Sequence, residues 1–283
     1  MAIRLIALDI DGTLLNSRWE LPPQNCAAVQ AATRRGVEVA LVTGRRYDFA
    51  LPIAKKLEAP ITMVASNGAL IRTEDGVTHL RHLLPASTAL AVLQATQSWR
   101  DGTAVIFDRT RENQLILERL DEEQSIRNAY FHRNRDYVGF AVPLESCLTE
   151  DPIQVLFSGG VKPMRDAEAA MRAMREAGQF KLAITRYEHR DFSMIDVLNP
   201  ACSKGAALAE WARLRGILRD EILAIGDNHN DLEMLSFAGV PVVMGNAVAE
   251  LKQHGWHVTG TSDDAGVAMA IEKFALHPEP QCS

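Results

Sequence analysis

Apolar runs broken by polar, glycine-bearing turns organise the first eighty residues. Ile3 to Leu8 is a continuous apolar run that reads as a buried strand, and it stops at Asp9-Ile10-Asp11-Gly12-Thr13. Pro22 and Pro23 open a helical stretch through about Arg35 that Gly36 closes. Val37 to Val42 forms a second buried run, ending in Thr43-Gly44-Arg45. A helix over about Tyr47 to Leu57 leads to a third run, Ile61 to Ala65, ending in Ser66-Asn67-Gly68. Ala69 to Arg72 and Val77 to Leu80, either side of Asp75-Gly76, read as a β-hairpin. A βαβαβ order predicts a parallel, doubly wound sheet, and such sheets bind ligands beyond the carboxyl ends of their strands. Three consecutive runs end there in polar turns.

The pattern changes near Pro85. Ser87 is placed to cap a helix to about Trp99. Short apolar runs at Thr103–Phe107, Gln114–Glu118 and Ile153–Phe157 follow, with a charged helix around Glu122–His132 among them. A helix over Pro163–Ala177 then precedes two further runs, Lys181–Arg186 and Phe192–Val197. This order predicts an inserted α+β domain over residues 84–190, with residues 1–83 and 191–283 forming a discontinuous α/β core. The doubly wound pattern resumes from Ser203. A helix to about Arg215 leads to a strand, Glu221–Ile225, that stops at Gly226-Asp227-Asn228-His229-Asn230-Asp231. Val240–Met244 is a further strand, ending in Gly245-Asn246, and Asp264–Phe274 is the last helix.

Composition narrows the class of protein. With 283 residues, 47% hydrophobic and 23% charged, the chain is an ordinary globular sequence with ample core. A net charge of −6 argues against binding a nucleic-acid backbone, and no apolar run approaches a membrane span. The four cysteines have no metal-ligand spacing. They read as reduced thiols, and with acidic residues ending the first apolar run they predict a cytoplasmic protein without a signal peptide.

The strand ends carry the chemistry. In extended backbone, residues two apart point the same way, so Asp9 and Asp11 can converge where the first strand stops, and Gly12 permits a sharp turn. Converging carboxylates call for a counter-charge, and a divalent cation supplies one. A parallel sheet also brings the ends carrying Thr43 and Asp227 to the same edge, with Lys204 at the start of an adjacent helix. Taken singly, Thr43 is a turn residue or cap, and Lys204 is a solvated lysine. A cation at a helix N-terminus opposes the helix dipole, however, which invites an anionic partner. Together the set is coherent. Asp9 can attack phosphorus to give an aspartyl-phosphate, and Asp11 can protonate the leaving oxygen and then activate water. Asp9 and Asp227 can hold Mg²⁺, Thr43 can donate to a phosphoryl oxygen, and Lys204 can offset developing negative charge. Asp231 can orient its neighbours without itself binding the ion. Arg45 can reach a substrate oxygen.

Asp9-Ile10-Asp11-Gly12-Thr13, Thr43-Gly44-Arg45, Lys204 and Gly226 to Asp231 resemble, in order and spacing, the four motifs of the haloacid dehalogenase-like superfamily. The insert between Thr43 and Lys204, with Ser66-Asn67-Gly68, Met244 to Ala247 and Asp264 to Ala268, looks like the Cof-type branch with a type IIB cap. The resemblance spans essentially the whole chain. It implies a Rossmann-like core and an Mg²⁺-dependent phosphatase acting on small phosphorylated metabolites, often sugar phosphates. It also implies that Asp9, Asp11 (through its backbone carbonyl) and Asp227 are the metal ligands. Thr43, Gly44, Arg45, Asn67, Lys204 and Asn230 would line the phosphate and substrate side. One departure stands out: some Cof-type relatives carry proline and glycine just before the lysine, whereas this chain has Leu198-Asn199-Pro200-Ala201-Cys202-Ser203. A phosphomutase on the same fold is the alternative enzyme, since Asp11 suits both reactions. A non-enzymatic regulator would be expected to have lost a catalytic carboxylate or the lysine, and this chain has kept them. No GxGxxG opens the first helix, which disfavours a dinucleotide-binding oxidoreductase. The sequence does not address oligomeric state.

Overall fold

The computed structural model describes residues 2–120, 131 and 134–277. The chain divides into two compact units, Met1–Arg81 with Ser203–Ser283, and His82–Cys202. Among the described residues no helix is long and apolar enough to cross a membrane.

The first unit is built on an eight-stranded sheet. Its strands are β1 (Leu5–Leu8), β2 (Glu38–Val42), β3 (Ile61–Ala65), β4 (Leu70–Thr73), β5 (Thr78–Arg81), β12 (Ile222–Gly226), β13 (Val240–Val243) and β14 (His257–Val258), in the order β14-β13-β12-β1-β2-β3-β4-β5. The six strands from β14 to β3 run parallel, and β4 and β5 extend the sheet antiparallel. β1 sits between β2 and β12, so both its faces and both its edges are covered. That is why its sequence is an unbroken apolar run with every residue buried. Helices α1 (Pro23–Arg34) and α2 (Tyr47–Lys56) connect the first three strands, and the core gathers Leu8, Val42, Met63 and Ile225 with apolar faces of the surrounding helices.

The second unit contains a six-stranded sheet of β6 (Thr103–Ile106), β7 (Leu115–Leu117), β8 (Val138–Phe140), β9 (Gln154–Gly159), β10 (Lys181–Tyr187) and β11 (Phe192–Leu198), in the order β10-β11-β9-β6-β7-β8. One face packs on α3 (Ala86–Ala95) and α4 (Val161–Arg172) through Val92, Phe157, Met164 and Ile195. The other carries a smaller cluster of Ile106, Leu115, Phe131 and Leu156. β11 pairs with both β9 and β10, so residues 191–202, with His82 and Leu83, fall in the second unit and not in the core where the sequence reading put them. The loop signal near Arg190 is the turn Glu188–Arg190 of the hairpin that joins β10 to β11, and not a return to the first unit.

Two local expectations change. Ser87 is not a cap: α3 begins at Ala86, whose N–H is taken by Asp151 Oδ1 at 2.7 Å, and it ends at Ala95 before a 3₁₀ stretch, Gln97–Gly102. The charged helix expected at Glu122–His132 lies, apart from Phe131, outside the described residues.

Candidate active site

Asp9 follows β1 directly and is 4% exposed; its N–H donates to the Ile225 carbonyl at 3.0 Å, which ties the end of β1 to β12. Asp227 follows β12. Between them Gly12 adopts φ +84°, and a Cβ there would lie 2.5 Å from Asp227 Oδ2, so only glycine lets the turn after β1 pass this close to the second carboxylate. The Asn246 side-chain amide fixes the same turn by donating to the Gly12 carbonyl at 2.8 Å. Gly226 has a parallel reason, since a Cβ there would meet Asp231 at 2.7 Å.

Lys204 is the first residue of α5 (Lys204–Arg215), which Ser203 caps by accepting from the Ala206 N–H at 3.0 Å. The lysine is 2% exposed. Its ammonium lies 2.6 Å from Asp9 Oδ1 and 2.6 Å from Asp231 Oδ1. These contacts account for a cation at a helix start, because two carboxylates outweigh the opposing dipole. Asp231 is fully buried and commits both oxygens: Oδ1 to Lys204, and Oδ2 to the N–H groups of Asp227 and Asn228, each at 3.0 Å. Asp227 Oδ1 accepts from the Thr13 hydroxyl at 3.0 Å.

Asp9, Asp227 and Asp231 each offer a carboxylate oxygen within 4.8 Å of one another. Three carboxylates therefore face one ammonium in a nearly dry volume. Burial, opposed by Lys204 and reinforced by Asp231 and Asp11, pushes the Asp9 carboxyl up to about 7. Burial and the neighbouring Asp9 and Asp231 charges push Asp227 well above the usual carboxylate range. For Lys204, burial works against the charged form, but Asp231 and Asp9 outweigh it and raise the pKa. The excess negative charge thus falls on Asp9 and Asp227. Hard oxygen donors with uncompensated charge fit Mg²⁺, and Asp231, with both oxygens committed, serves to hold Lys204 and the Asp227 backbone.

Asp11 points to a different partner. Arg45 holds both its oxygens, Nε to Oδ2 at 2.8 Å and Nη2 to Oδ1 at 2.5 Å, in a pair whose side chains are 22% and 24% exposed. Thr43 is buried, and its hydroxyl accepts the Arg45 N–H at 3.1 Å while its carbonyl accepts from Asn67 N–H at 3.0 Å. Asn230 donates to the Asn67 side-chain oxygen at 3.0 Å, and a Cβ on Gly44 would lie 3.2 Å from that Asn67 amide. The ends of β2, β3 and β12 are thereby laced together. The structure brings Asp9, Lys204, Asp227 and Asp231 into one cluster, Asp11 with Arg45 into a second, and Gly44, Asn67 and Asn230 into a third. Thr13 and Asn246 lie inside quoted motifs without an assigned role. Trp19, whose ring centroid lies 5.6 Å from the Arg45 guanidinium carbon, has no sequence signal at all.

The profile of the haloacid dehalogenase-like hydrolase family matches residues 6–271. The chain is similar to phosphatase YwpJ of Bacillus subtilis, 28% identical over 290 residues, covering 94% of this chain and 98% of the relative. It is also similar to the HMP-PP phosphatase of Serratia proteamaculans, 30% identical over 277 residues, covering 97% and 96%. Among solved structures, the HAD subclass IIB sugar phosphatase BT4131 superposes with a TM-score of 0.74 at 18% identity, covering 95% of this chain and 98% of that one, a likeness of fold that extends to the type IIB insert. Matched along nearly its whole length by the family profile and by phosphatases, the chain belongs to the haloacid dehalogenase-like hydrolases as a phosphoric monoester hydrolase.

Proposed function

We propose that the chain hydrolyses small phosphomonoesters, sugar phosphates or similar metabolites, in two displacements through an aspartyl-phosphate on Asp9. The observation that carries this reading is the Asp9–Lys204–Asp231–Asp227 cluster: a buried carboxylate at a strand end, one oxygen held by an ammonium, in an environment with excess negative charge. Asp9, Asp227 and the Asp11 backbone carbonyl would hold Mg²⁺. The bound ion would supply positive charge against the oxygens of the transferring phosphoryl group.

In the first displacement an Asp9 carboxylate oxygen attacks phosphorus, and the bond from phosphorus to the ester oxygen breaks. Asp11, as its carboxylic acid, gives that oxygen a proton, and the alcohol leaves. In the second, the Asp11 carboxylate takes a proton from water. The water oxygen bonds to phosphorus, the bond to Asp9 breaks, and inorganic phosphate departs. Lys204 fixes the Asp9 carboxylate and offsets negative charge on the phosphoryl oxygens, towards which the Thr43 hydroxyl and the Gly44, Asn67 and Asn230 lacework also contribute. Arg45 occupies both Asp11 oxygens, so an acid role for Asp11 requires the pair to part, which frees the guanidinium for a substrate oxygen.

The test is phosphate release from a panel of sugar phosphates, nucleotides and an aryl phosphate, with Mg²⁺ and with chelator, on the wild type and on Asp9→Asn. Release that needs both Mg²⁺ and Asp9 is the expected result. Full turnover by Asp9→Asn would contradict the assignment.

A further inference from the structure

Trp19 stands out among the exposed apolar side chains of the first unit. Isolated exposed apolar residues are ordinary, but this one combines three features. The residue is 54% exposed. It lies against Arg45, the guanidinium that grips Asp11, two residues from Asp9. Its backbone is in the left-handed region, φ +64°, which is uncommon for a bulky side chain.

The loop is built to hold that conformation. The Asn16 N–H donates to the Glu20 carbonyl at 2.9 Å, and the Trp19 N–H donates to the Asn16 carbonyl at 2.9 Å. The Asn16 side-chain oxygen accepts from the N–H groups of Arg18 and Glu20, at 3.0 and 2.9 Å. The Ser17 N–H is anchored on Asp263 Oδ1 at 2.9 Å, which ties the loop to the segment before the last helix. Arg18 pairs with Glu20, so the loop's own charges are matched and the indole is left as its open apolar face. Glycine or asparagine would adopt this backbone at less cost. A strained position that presents a large aromatic against the arginine gripping Asp11 points to recognition.

We propose that Trp19 is a specificity-determining residue, a platform on which a flat, apolar or aromatic leaving group stacks while the phosphoryl group is held at Asp9. The substrate class this selects is a phosphomonoester whose alcohol carries a ring close to the ester oxygen, in preference to a short-chain alkyl phosphate. The inference rests on the phosphatase reading above and deepens it. Stacking of a flat ring on an aromatic side chain commonly changes affinity by about tenfold or more.

The experiment compares benzyl phosphate with propyl phosphate, on the wild type, Trp19→Asn and Trp19→Phe. Asparagine tolerates the left-handed backbone and removes the ring; phenylalanine keeps a ring. The expected result is a rise of about tenfold in KM for benzyl phosphate in Trp19→Asn, with a loss for propyl phosphate several-fold smaller and kcat little moved. Trp19→Phe should recover most of the benzyl preference. Equal losses for both esters, or no loss for either, would overturn the platform. If the wild type cleaves neither ester, the phosphatase reading is decided by the panel of sugar phosphates, nucleotides and aryl phosphate above, where release from none of them is what counts against it. The platform is then judged by calorimetry with benzylphosphonate and propylphosphonate. Tighter wild-type binding of the benzyl compound that Trp19→Asn abolishes would support it, and indistinguishable or undetectable binding would overturn it.

Discussion

Two ionic groups flank the same strand end, a lysine between two carboxylates and an arginine on one, and they differ in how far water reaches them. Lys204 bridges Asp9 and Asp231 with all three side chains almost wholly out of water. Arg45 grips Asp11 through a bidentate pair whose side chains are both partly exposed. A buried pair has no solvent to replace a lost partner, so its geometry is fixed and breaking it is costly. A pair in partial contact with water parts at lower cost than a buried one, because solvent can replace the lost partner. The difference suits the two carboxylates' proposed roles: the nucleophile is held still, and the proton carrier is released when substrate enters.

Lys204→Met should break this comparison hardest. It leaves Asp9 and Asp231 buried without their counter-ion, so unfolding in denaturant should show a loss of about 3–5 kcal/mol. Phosphate release should fall by about 10²–10³-fold, the scale of losing one charge stabiliser of a transition state. A variant as stable as the wild type would show that the cluster does not depend on the ammonium.

The next effect is one of pH. In the folded protein Asp9 is raised from its ordinary 3.8 to about 7, so between those values the folded state binds more protons than the unfolded one. Stability carried by this group is therefore present at low pH and lost as pH rises from about 4 to about 7. The stability of the metal-free wild type relative to Asp9→Asn should fall across that window, and Mg²⁺ should flatten the trend because it compensates the carboxylate. A pH-independent difference would contradict the excess-charge account of the cluster.

Arg45→Gln should be the mildest in stability, with a change within about 1 kcal/mol. Its consequence should appear in KM, as the loss of a group that meets substrate once Asp11 is released. A stability loss matching that of Lys204→Met would erase the distinction between the two pairs.

The buried cluster was legible in the sequence because it depends on topology. Asp9 and Asp227 each follow an apolar run, Asp231 comes four residues after Asp227, Lys204 opens a helix, and a parallel sheet gathers such positions at one edge. The open pair was not legible. Nothing in the spacing of Asp11 and Arg45 says that the guanidinium turns to the carboxylate, because that depends on side-chain directions across two turns. Thr13 and Asn246 escaped for a similar reason: their hydrogen bonds to Asp227 and to the Gly12 carbonyl need the turn geometry. Trp19 lies in an exposed loop with no period to flag it. At the level of the fold, the doubly wound order of strands and helices was readable from period and punctuation. The far edge of the insert was not, because Phe192–Leu198 reads as a strand whichever sheet it joins, and only its pairing with β9 and β10 decides.

The central claim is covalent: the phosphoryl group rests on Asp9. Rapid acid quench during turnover of benzyl phosphate with Mg²⁺, followed by peptide mass spectrometry, tests it directly. The account predicts one added phosphoryl group on the peptide that contains Asp9, lost in Asp9→Asn. Turnover of the wild type with that peptide never phosphorylated, or with the label on another residue, would contradict it.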